Sequence, residues 1–225
     1  MASKDFQKNE KKWPFRRNPG GKPWFFLRDR TAGTENPGSF FMLSTILISS
    51  LLGYLLGSIP FGLLVGRLKG VDIRQHGSGN IGATNVVRVI GKKWGILVFA
   101  LDALKGLLGV IIAMEVAGGR TASSAGLLGI AAGLACVLGH NFPVWLKFKG
   151  GKGVATTAGV LVGLLPWAAL VAFVTWGVVF YSTRYVSVAS MVAAVVIPAT
   201  VWGMERQATP LFWFSVVVAV LGLLR

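Results

Sequence analysis

A glycine-rich segment in the first half of the chain has the residue types of an anion site. Residues 77–82 read Gly-Ser-Gly-Asn-Ile-Gly, and hydroxyl, amide and guanidinium side chains follow them. A glycine-rich turn that enters a helix offers unpaired backbone N–H groups and the positive end of the helix dipole to an anion. The segment therefore predicts a phosphate site, with a capped tight turn as the alternative. Its candidate residues are Gly77, Ser78, Gly79, Asn80, Thr84, Asn85 and Arg88.

A second glycine-rich segment combines the same features with lysines. Residues 147–157 read Lys-Phe-Lys-Gly-Gly-Lys-Gly-Val-Ala-Thr-Thr. Backbone N–H groups beside a lysine and a threonine hydroxyl form a cradle suited to phosphate. A loop whose lysines only orient the neighbouring helices is the alternative, but it does not account for the glycines. The candidate residues are Gly150, Gly151, Lys152, Gly153 and Thr156.

Ionisable side chains within apolar runs are the other candidates. Asp102 and Lys105 are spaced i, i+3, which places them on one helix face where they can pair. An ionisable residue inside a membrane indicates a functional site. A purely structural ion pair fits the same spacing. His140 ends an apolar run near the second glycine segment, and it could be a general base or a helix cap. Ser187, at a predicted helix junction, could complete the site.

The composition excludes an ordinary soluble protein. The 225 residues contain 53% hydrophobic and 14% charged side chains, and the mean hydropathy is +0.64. A net charge of +15 would suggest nucleic acid as the partner of a soluble chain. Here the basic residues lie between apolar runs, where they orient helices in a membrane, so we expect no nucleic acid. The single cysteine, Cys136, rules out a disulfide framework and a cysteine-based metal site.

Charged side chains divide the apolar part of the chain into membrane spans, because a charge at mid-bilayer costs about 3 kcal/mol or more. The sequence predicts an all-α integral membrane protein with about seven transmembrane helices. The predicted spans are residues 43–66, 94–114, 124–145, 153–165, 167–183, 185–203 and 208–225. The first glycine segment is too polar to face lipid, and it predicts a short re-entrant or interfacial helix near residues 80–91.

Residues 1–41 differ in composition from the rest of the chain. They combine basic charge with proline and lack apolar periodicity, so they predict a disordered basic extension or tag before a membrane domain at residues 42–225. Most Lys and Arg residues between the spans fall on the side of the two glycine segments, and Arg120 and Arg206 fall on the other. The positive-inside rule then predicts that the glycine segments are cytoplasmic. Seven spans would place the N-terminus outside.

Several short motifs occur together in one order. They are Gly-Ser-Ile-Pro-Phe-Gly at residues 57–62, the segment 77–85, Asp102 with Lys105-Gly106, Gly139-His140, and the segment 148–156. Over about residues 43–225 this combination resembles the bacterial acyl-phosphate:glycerol-3-phosphate acyltransferases, the PlsY family. The resemblance implies a seven-helix enzyme of the bacterial inner membrane. Such an enzyme transfers a fatty acyl group from acyl phosphate to glycerol 3-phosphate, forming 1-acylglycerol 3-phosphate (lysophosphatidic acid) in phospholipid synthesis.

The resemblance also implies roles for particular residues. In that family the first motif supplies a serine and an arginine, which match Ser78 and Arg88. The second motif is a phosphate-binding glycine loop, which matches residues 150–153 with Lys152. A third motif, Arg-His-Arg-x-Asn after the last span, does not occur in these 225 residues.

The implied surroundings are membrane lipids, with no cofactor or metal and with an upstream enzyme that produces acyl phosphate. A membrane transporter for a phosphorylated metabolite or anion is the alternative. Intramembrane Asp102 and Lys105, together with broken helices, would also suit alternating access.

Overall fold

The computed structural model describes residues 39–116 and 122–224, and the regular elements in these ranges are helices. Most of the predicted extension, residues 1–41, lies outside the described residues. Short 3-10 turns at Ile73–Gln75 and Val144–Leu146 stand beside the two glycine segments. The α-helices are α1 (Ser39–Gly57), α2 (Phe61–Leu68), α3 (Ala83–Val89), α4 (Lys92–Val116), α5 (Ala122–Asn141), α6 (Val154–Leu164), α7 (Pro166–Thr183), α8 (Val186–Glu205) and α9 (Pro210–Leu224).

Most of these helices are long and apolar enough to cross a membrane. Helices α6 and α9 are shorter, with 11 and 15 residues, or about 16 and 22 Å at the usual rise per residue. Many large apolar side chains are exposed, such as Leu51 of α1 and Phe173 of α7, as expected for a surface in contact with lipid. The protein is therefore a multi-pass membrane protein whose described residues form a helical bundle, and the count of seven crossings stays a prediction. The five candidate spans are Phe41–Leu68, Lys92–Val116, Gly126–Leu146, Pro166–Thr183 and Val186–Glu205.

The first predicted span, residues 43–66, lies within the candidate span Phe41–Leu68, but the helix is interrupted inside it. Helix α1 ends at Gly57 and α2 begins at Phe61, with an irregular turn between them. Pro60 explains the break, because proline has no backbone N–H to donate and its ring excludes the carbonyl of the preceding turn. The Ser58 hydroxyl donates to the Tyr54 carbonyl at 2.7 Å near the end of α1. The break leaves the Ile59 carbonyl accessible to the side chain of Lys105 in α4. The other six predicted spans coincide in order with α4 to α9.

Glycines bring the central helices into close contact. A Cβ placed on Gly57 of α1 would collide with the Cys136 carbonyl of α5. A Cβ on Gly159 of α6 would collide with the Ala103 carbonyl of α4. Small residues let helix backbones approach one another in a bilayer, where lipid removes the hydrophobic drive for association. Helix α5 therefore packs directly on α1, and α6 packs directly on α4.

Helices α4 and α5 run antiparallel. Lys105 of α4 contacts His140 of α5, whereas Gly109, one turn farther along α4, faces Cys136, one turn earlier in α5. The start of α4 and the end of α5 consequently lie at the same end of the bundle. The two glycine segments adjoin these termini, because the first precedes α4 and the second follows α5.

Candidate functional site

The first glycine segment is folded around the side chain of Asn85. This side chain is buried in the first turn of α3, and its Oδ1 accepts a hydrogen bond from the Ser78 N–H at 2.9 Å. Its Nδ2 donates to the carbonyls of Ile73, His76 and Asn80 at 2.9–3.1 Å. An amide nitrogen has two N–H bonds, so the three carbonyls share them, while Oδ1 accepts from Ser78. Asn85, predicted to bind substrate, supports the loop from within.

Glycine is required where the loop passes Asn85. Gly77 has a φ of +61°, a conformation that glycine adopts without strain. A Cβ at this position would also collide with Asn85 Oδ1. Farther along the loop, Asn80 Oδ1 accepts a hydrogen bond from the Gly82 N–H at 2.8 Å, and Gly79 has a φ of +69°. The backbone of the loop is thereby fixed by its own side chains before α3 begins.

Among the predicted site residues of the first segment, the side chains of Ser78, Thr84 and Arg88 are exposed. Arg88 lies in the last turn of α3, one helical turn after Thr84. No acidic side chain in residues 41–116 and 126–224 forms an ion pair with it. An exposed guanidinium with no carboxylate partner can bind a phosphate group through two parallel hydrogen bonds. Arg88 is therefore the cation that the first segment presents.

Arg74, which also lies near this loop, is neutralised by Asp72. Its Nε and Nη2 donate to the two carboxylate oxygens of Asp72 at 2.9 and 2.6 Å. These hydrogen bonds stabilise the ionised carboxylate and lower the pKa of Asp72 from 3.8 to about 2. Asp72 also accepts the Arg74 backbone N–H at 3.1 Å, which caps the 3-10 turn. Arg74 thus belongs to the support of the loop.

The second glycine segment is held against the end of α5. The Gly150 N–H donates to the Asn141 carbonyl, and the Gly151 N–H donates to the His140 carbonyl, both at 3.1 Å. A Cβ on Gly150 would collide with the His140 carbonyl, and one on Gly151 would collide with the His140 ring. Gly153, at the start of α6, has a φ of +78°. Larger residues at these positions would push the loop away from α5.

Lys152 and Thr156 stand where this loop enters α6. Lys152 is exposed, and it forms no ion pair with an acidic side chain in the part of the chain whose side chains are described. Thr156 is fully buried, and its hydroxyl has no hydrogen-bond partner among the described residues. Helix α6 begins after Gly153 without a side-chain cap. An uncapped helix start beside a free ammonium group is suited to an anion.

A buried ion pair lies beneath the second loop. Lys105 Nζ lies 2.7 Å from Asp102 Oδ1, and both side chains are buried. The same Nζ donates to the Ile59 carbonyl at 2.8 Å and lies 2.9 Å from His140 Nδ1. The predicted pair of Asp102 and Lys105 is thus present, and it reaches both the break after α1 and the end of α5. His140 is 5% exposed, with its Nε2 facing Gly151.

The two glycine segments lie at one end of the bundle. The antiparallel packing of α4 and α5 places both segments there, and a shared apolar cluster also joins the two segments. Ile81 and Val86 of the first segment are buried in this cluster, and Leu146, just before the second segment, packs against it. Arg88 of the first segment's helix and Lys152 of the second loop therefore lie at the same end of the bundle. Ser187 is exposed near the start of α8 and makes no hydrogen bond with the described residues of either segment.

The groups gathered at this end are ligands for oxyanions. Exposed cations, hydroxyls and backbone N–H groups bind phosphate, whereas metal ions need clustered carboxylate, imidazole or thiolate groups. In residues 39–116 and 122–224 no three His, Cys, Asp or Glu side chains form such a cluster. The arrangement is suited to holding phosphate groups at the end of an apolar helix bundle.

Sequence reasoning missed the contact between Lys105 and His140 and the part played by the Ile59 carbonyl. These groups are far apart in the chain, and they meet only through the packing of α4 against α1 and α5. One signal was present, since Pro60 interrupts an apolar run and marks a freed carbonyl. For Asn85 the signal was weaker, because nothing local distinguishes an amide that binds a ligand from one that binds its own loop.

The sequence matches one family of known proteins. A family model described as glycerol-3-phosphate acyltransferase matches residues 47–225. A glycerol-3-phosphate acyltransferase of Allorhizobium ampelinum is 46% identical over 180 residues, which are 79% of this chain and 85% of that protein. One of Myxococcus xanthus is 56% identical over 144 residues, which are 64% of this chain and 72% of that protein.

The fold matches solved structures from the same group. Crystal structures of PlsY (YgiH), an integral membrane glycerol 3-phosphate acyltransferase, are similar in a glycerol 3-phosphate form and in a lysophosphatidic acid form. The first has a TM-score of 0.73 and 43% identity, covering 80% of this chain and 87% of that chain. The second has a TM-score of 0.71 and 42% identity, covering 80% and 86%. With both glycine segments and the buried pair of α4 inside the matched range, the chain belongs to the glycerol-3-phosphate acyltransferase family.

Proposed function

We propose that the protein transfers a fatty acyl group from acyl phosphate to the hydroxyl of glycerol 3-phosphate. The products are 1-acylglycerol 3-phosphate and inorganic phosphate. The observation that carries this proposal is the pair of basic loops at one end of an apolar bundle, with Arg88 beside one and Lys152 in the other. Both substrates present a phosphate group, and one of them also carries a long apolar chain. Relatives named for glycerol 3-phosphate acylation support the enzyme over the transporter alternative.

Each loop holds one of the two phosphate groups. The loop at residues 150–153, with Lys152 and the start of α6, binds the phosphate of glycerol 3-phosphate. The buried Thr156 hydroxyl, which has no partner among the described residues, lies within the first turn of α6 and can turn toward this anion. Ser78 and Arg88 bind the phosphate of the acyl donor. Ser187, exposed near the start of α8, stays a predicted substrate-binding residue.

The transfer needs no nucleophile from the protein. An acyl phosphate is already activated, so positioning and charge neutralisation supply most of the catalysis. The glycerol hydroxyl oxygen attacks the acyl carbon, and a new ester C–O bond forms. The bond between the acyl carbon and the bridging phosphate oxygen breaks, and phosphate leaves. The hydroxyl proton passes to a substrate phosphate, and Arg88 and Lys152 offset the negative charge on the two phosphate groups.

The acyl chain of the donor extends into an apolar groove between α1 and α4. This groove has a volume of about 350 Å³, and its walls include Leu52, Leu56 and Ile112. Ile59, whose carbonyl binds Lys105, lies at the end of the groove nearest the glycine loops. A chain that enters beside Ile59 keeps its reacting carbonyl near the phosphate sites and its tail out of water. The location explains why the reaction takes place in a membrane protein.

The membrane arrangement follows from the distribution of charge. We propose seven crossings, in which the short helices α6 and α9 complete the five longer spans. Lys and Arg cluster beside the glycine loops, so these loops face the cytoplasm and the protein lies in the bacterial inner membrane. The donor is a reactive mixed anhydride, so an enzyme that makes acyl phosphate must act upstream and supply it from the same side.

Purified protein tests the proposal directly. With labelled glycerol 3-phosphate, we expect lysophosphatidate when the donor is acyl phosphate and none when the donor is acyl-CoA. Absence of lysophosphatidate with acyl phosphate would refute the proposal. Sealed vesicles that contain the protein should not accumulate labelled glycerol 3-phosphate in the absence of donor. Accumulation without acylation would favour a transporter.

A further inference from the structure

Lys105 is the centre of a buried polar cluster that the transfer described above does not use. Its ammonium group has three neighbouring acceptors: Asp102 Oδ1 at 2.7 Å, the Ile59 carbonyl at 2.8 Å and His140 Nδ1 at 2.9 Å. They belong to its own helix, to the break after α1 and to the end of α5. An ammonium group has three N–H bonds and no lone pair, so it only donates. Its contact with Asp102 is an ion pair without hydrogen-bond geometry, so its hydrogen-bond partners are the Ile59 carbonyl and His140 Nδ1.

The lack of a lone pair on the Lys105 ammonium group restricts the protonation of the His140 ring. Because Lys105 only donates, Nδ1 accepts with its lone pair, and the proton of the neutral imidazole then resides on Nε2. A proton on Nδ1 would instead face the ammonium group at 2.9 Å. The carboxylate oxygen nearest to His140 Nδ1 is Asp102 Oδ1. It lies 3.6 Å from Nδ1, which is too far for a hydrogen bond. The distances favour the Nε2–H tautomer.

The Nε2 atom of His140 faces the second glycine loop. A Cβ built on Gly151 would collide with Nε2, and the Gly151 N–H donates to the His140 carbonyl at 3.1 Å. The next residue is the exposed Lys152. A ring N–H donor therefore lies against the stretch of backbone that leads to Lys152, where the phosphate of glycerol 3-phosphate binds in the proposed reaction.

We propose that Lys105 is a positioning residue, which holds His140 as a neutral Nε2–H donor toward the loop at residues 150–153 and the phosphate bound there. The role rests on the proposed function, because it concerns the same phosphate site. It also revises the expectation that His140 is a general base. A ring whose Nδ1 accepts from Lys105 and whose Nε2 carries the proton has no lone pair with which to take a proton from the substrate hydroxyl.

A purely structural role would require only the ion pair between Asp102 and Lys105. The contact to His140 is separate from that pair, and the ring it orients touches the loop. Replacing the pair by neutral side chains should therefore keep the fold but release the ring. Removing one charge alone would leave the other buried and unpaired, which is strongly destabilising. The double variant Asp102→Asn/Lys105→Met is the appropriate test of positioning.

The tautomer can be measured directly, because the chain has two histidines. In protein labelled with 15N-histidine, His76→Gln leaves only the ring signals of His140. We expect wild-type protein at neutral pH to show a protonated Nε2 and an unprotonated Nδ1. In the double variant Asp102→Asn/Lys105→Met we expect a mixture of tautomers. A protonated Nδ1 in wild-type protein, or an unchanged ring spectrum in the double variant, overturns the proposal.

Two substitutions of His140 provide a matched kinetic test. Glutamine places its amide near the position of Nε2, whereas asparagine places its amide near the position of Nδ1. We expect His140→Gln to keep the KM for glycerol 3-phosphate within about threefold and His140→Asn to raise it about tenfold, with kcat changing less in both. Thermal unfolding confirms that both variants are folded. Equal effects, or a larger effect from glutamine, overturn the proposal.

These measurements separate the inference from the proposed function. The tautomer is observed without substrates, so it stands even if wild-type protein transfers no acyl group. If wild-type protein transfers acyl groups while His140 carries its proton on Nδ1, the inference alone fails. Inorganic phosphate is the binding probe, and we expect it to shift the Nε2 signal of wild-type protein. An Nε2 signal that does not respond to phosphate at concentrations that inhibit acyl transfer also overturns the proposal.

Discussion

Lys105 Nζ lies 2.9 Å from His140 Nδ1, so a buried charge of α4 orients a ring at the end of α5. The same ammonium group donates to the Ile59 carbonyl, which the break after α1 exposes. One side chain therefore ties the first span to the loop that follows α5. The exposed cations Arg88 and Lys152 make direct contact with substrate phosphate in the proposed reaction, and Lys152 directly follows Gly151, which the His140 ring faces.

Removing either exposed cation should abolish most of the activity and leave the protein folded. Arg88→Ala and Lys152→Ala each delete a charge that offsets a phosphate group, and we expect kcat/KM to fall about 100-fold or more. Lys92→Ala is the matched control, because Lys92 is an exposed lysine at the start of α4. Its activity should stay within about threefold of wild type. Activity is measured as lysophosphatidate formed, and wild-type rates in either loss variant would remove that residue from the mechanism.

Gly151→Ala should weaken binding of glycerol 3-phosphate. Its new methyl group would collide with the His140 ring and displace the loop, and we expect the KM for glycerol 3-phosphate to rise about tenfold or more. Gly177→Ala in α7 is the control, since a Cβ there meets nothing within 4 Å. Steady-state kinetics with varied glycerol 3-phosphate measures both. An unchanged KM in Gly151→Ala would argue against the phosphate cradle.

Replacing the Asn85 amide with an apolar or a charged side chain should disturb the first glycine loop. Asn85→Ala removes the hydrogen bonds that organise the first loop, and each buried partner left unsatisfied costs about 1–3 kcal/mol. Asn85→Asp keeps an acceptor for the Ser78 N–H but turns a carboxylate toward backbone carbonyls. We expect both variants to lower the melting temperature and the rate of acyl transfer. An active, stable Asn85→Asp protein would mean that the amide does not hold the loop as described.

The buried pair should show strong coupling in stability. Lys105→Met leaves the Asp102 carboxylate buried without its cation, and we expect a loss of about 3–5 kcal/mol in the free energy of unfolding. Asp102→Asn/Lys105→Met removes both charges and should be more stable than Lys105→Met alone. Denaturant unfolding in detergent, completed by Asp102→Asn, gives the double-mutant cycle. Additive effects of the two substitutions would contradict a direct ion pair.

Asp72 should titrate well below an ordinary aspartate. Hydrogen bonds from Arg74 lower its pKa from 3.8 to about 2 in the folded protein. Because the folded pKa is the lower one, the stabilisation is complete above pH about 4 and is lost as the pH falls toward 2. A 13C titration of the Asp72 carboxyl measures this value, and Arg74→Gln should return it toward 3.8. A pKa near 3.8 in wild-type protein would show that the two side chains do not pair.

The helices and both glycine segments could be predicted from the sequence, because apolar length and glycine content are local properties. The break after Gly57 was missed although Pro60 marks it, since the apolar run continues on both sides of the proline. The inward role of Asn85 could not be foreseen, because it depends on carbonyls that the folded loop turns toward one side chain. Likewise, Asp102 and Lys105 predicted a pair, but their contact with His140 required the packing of three helices.

The central claim is that one site couples cleavage of acyl phosphate to acylation of glycerol 3-phosphate. The most direct test measures lysophosphatidate and inorganic phosphate together in one reaction of purified protein. We predict that the two products appear in equal amounts and at equal rates, and that phosphate release requires glycerol 3-phosphate. Release of phosphate from acyl phosphate without formation of lysophosphatidate would contradict the claim.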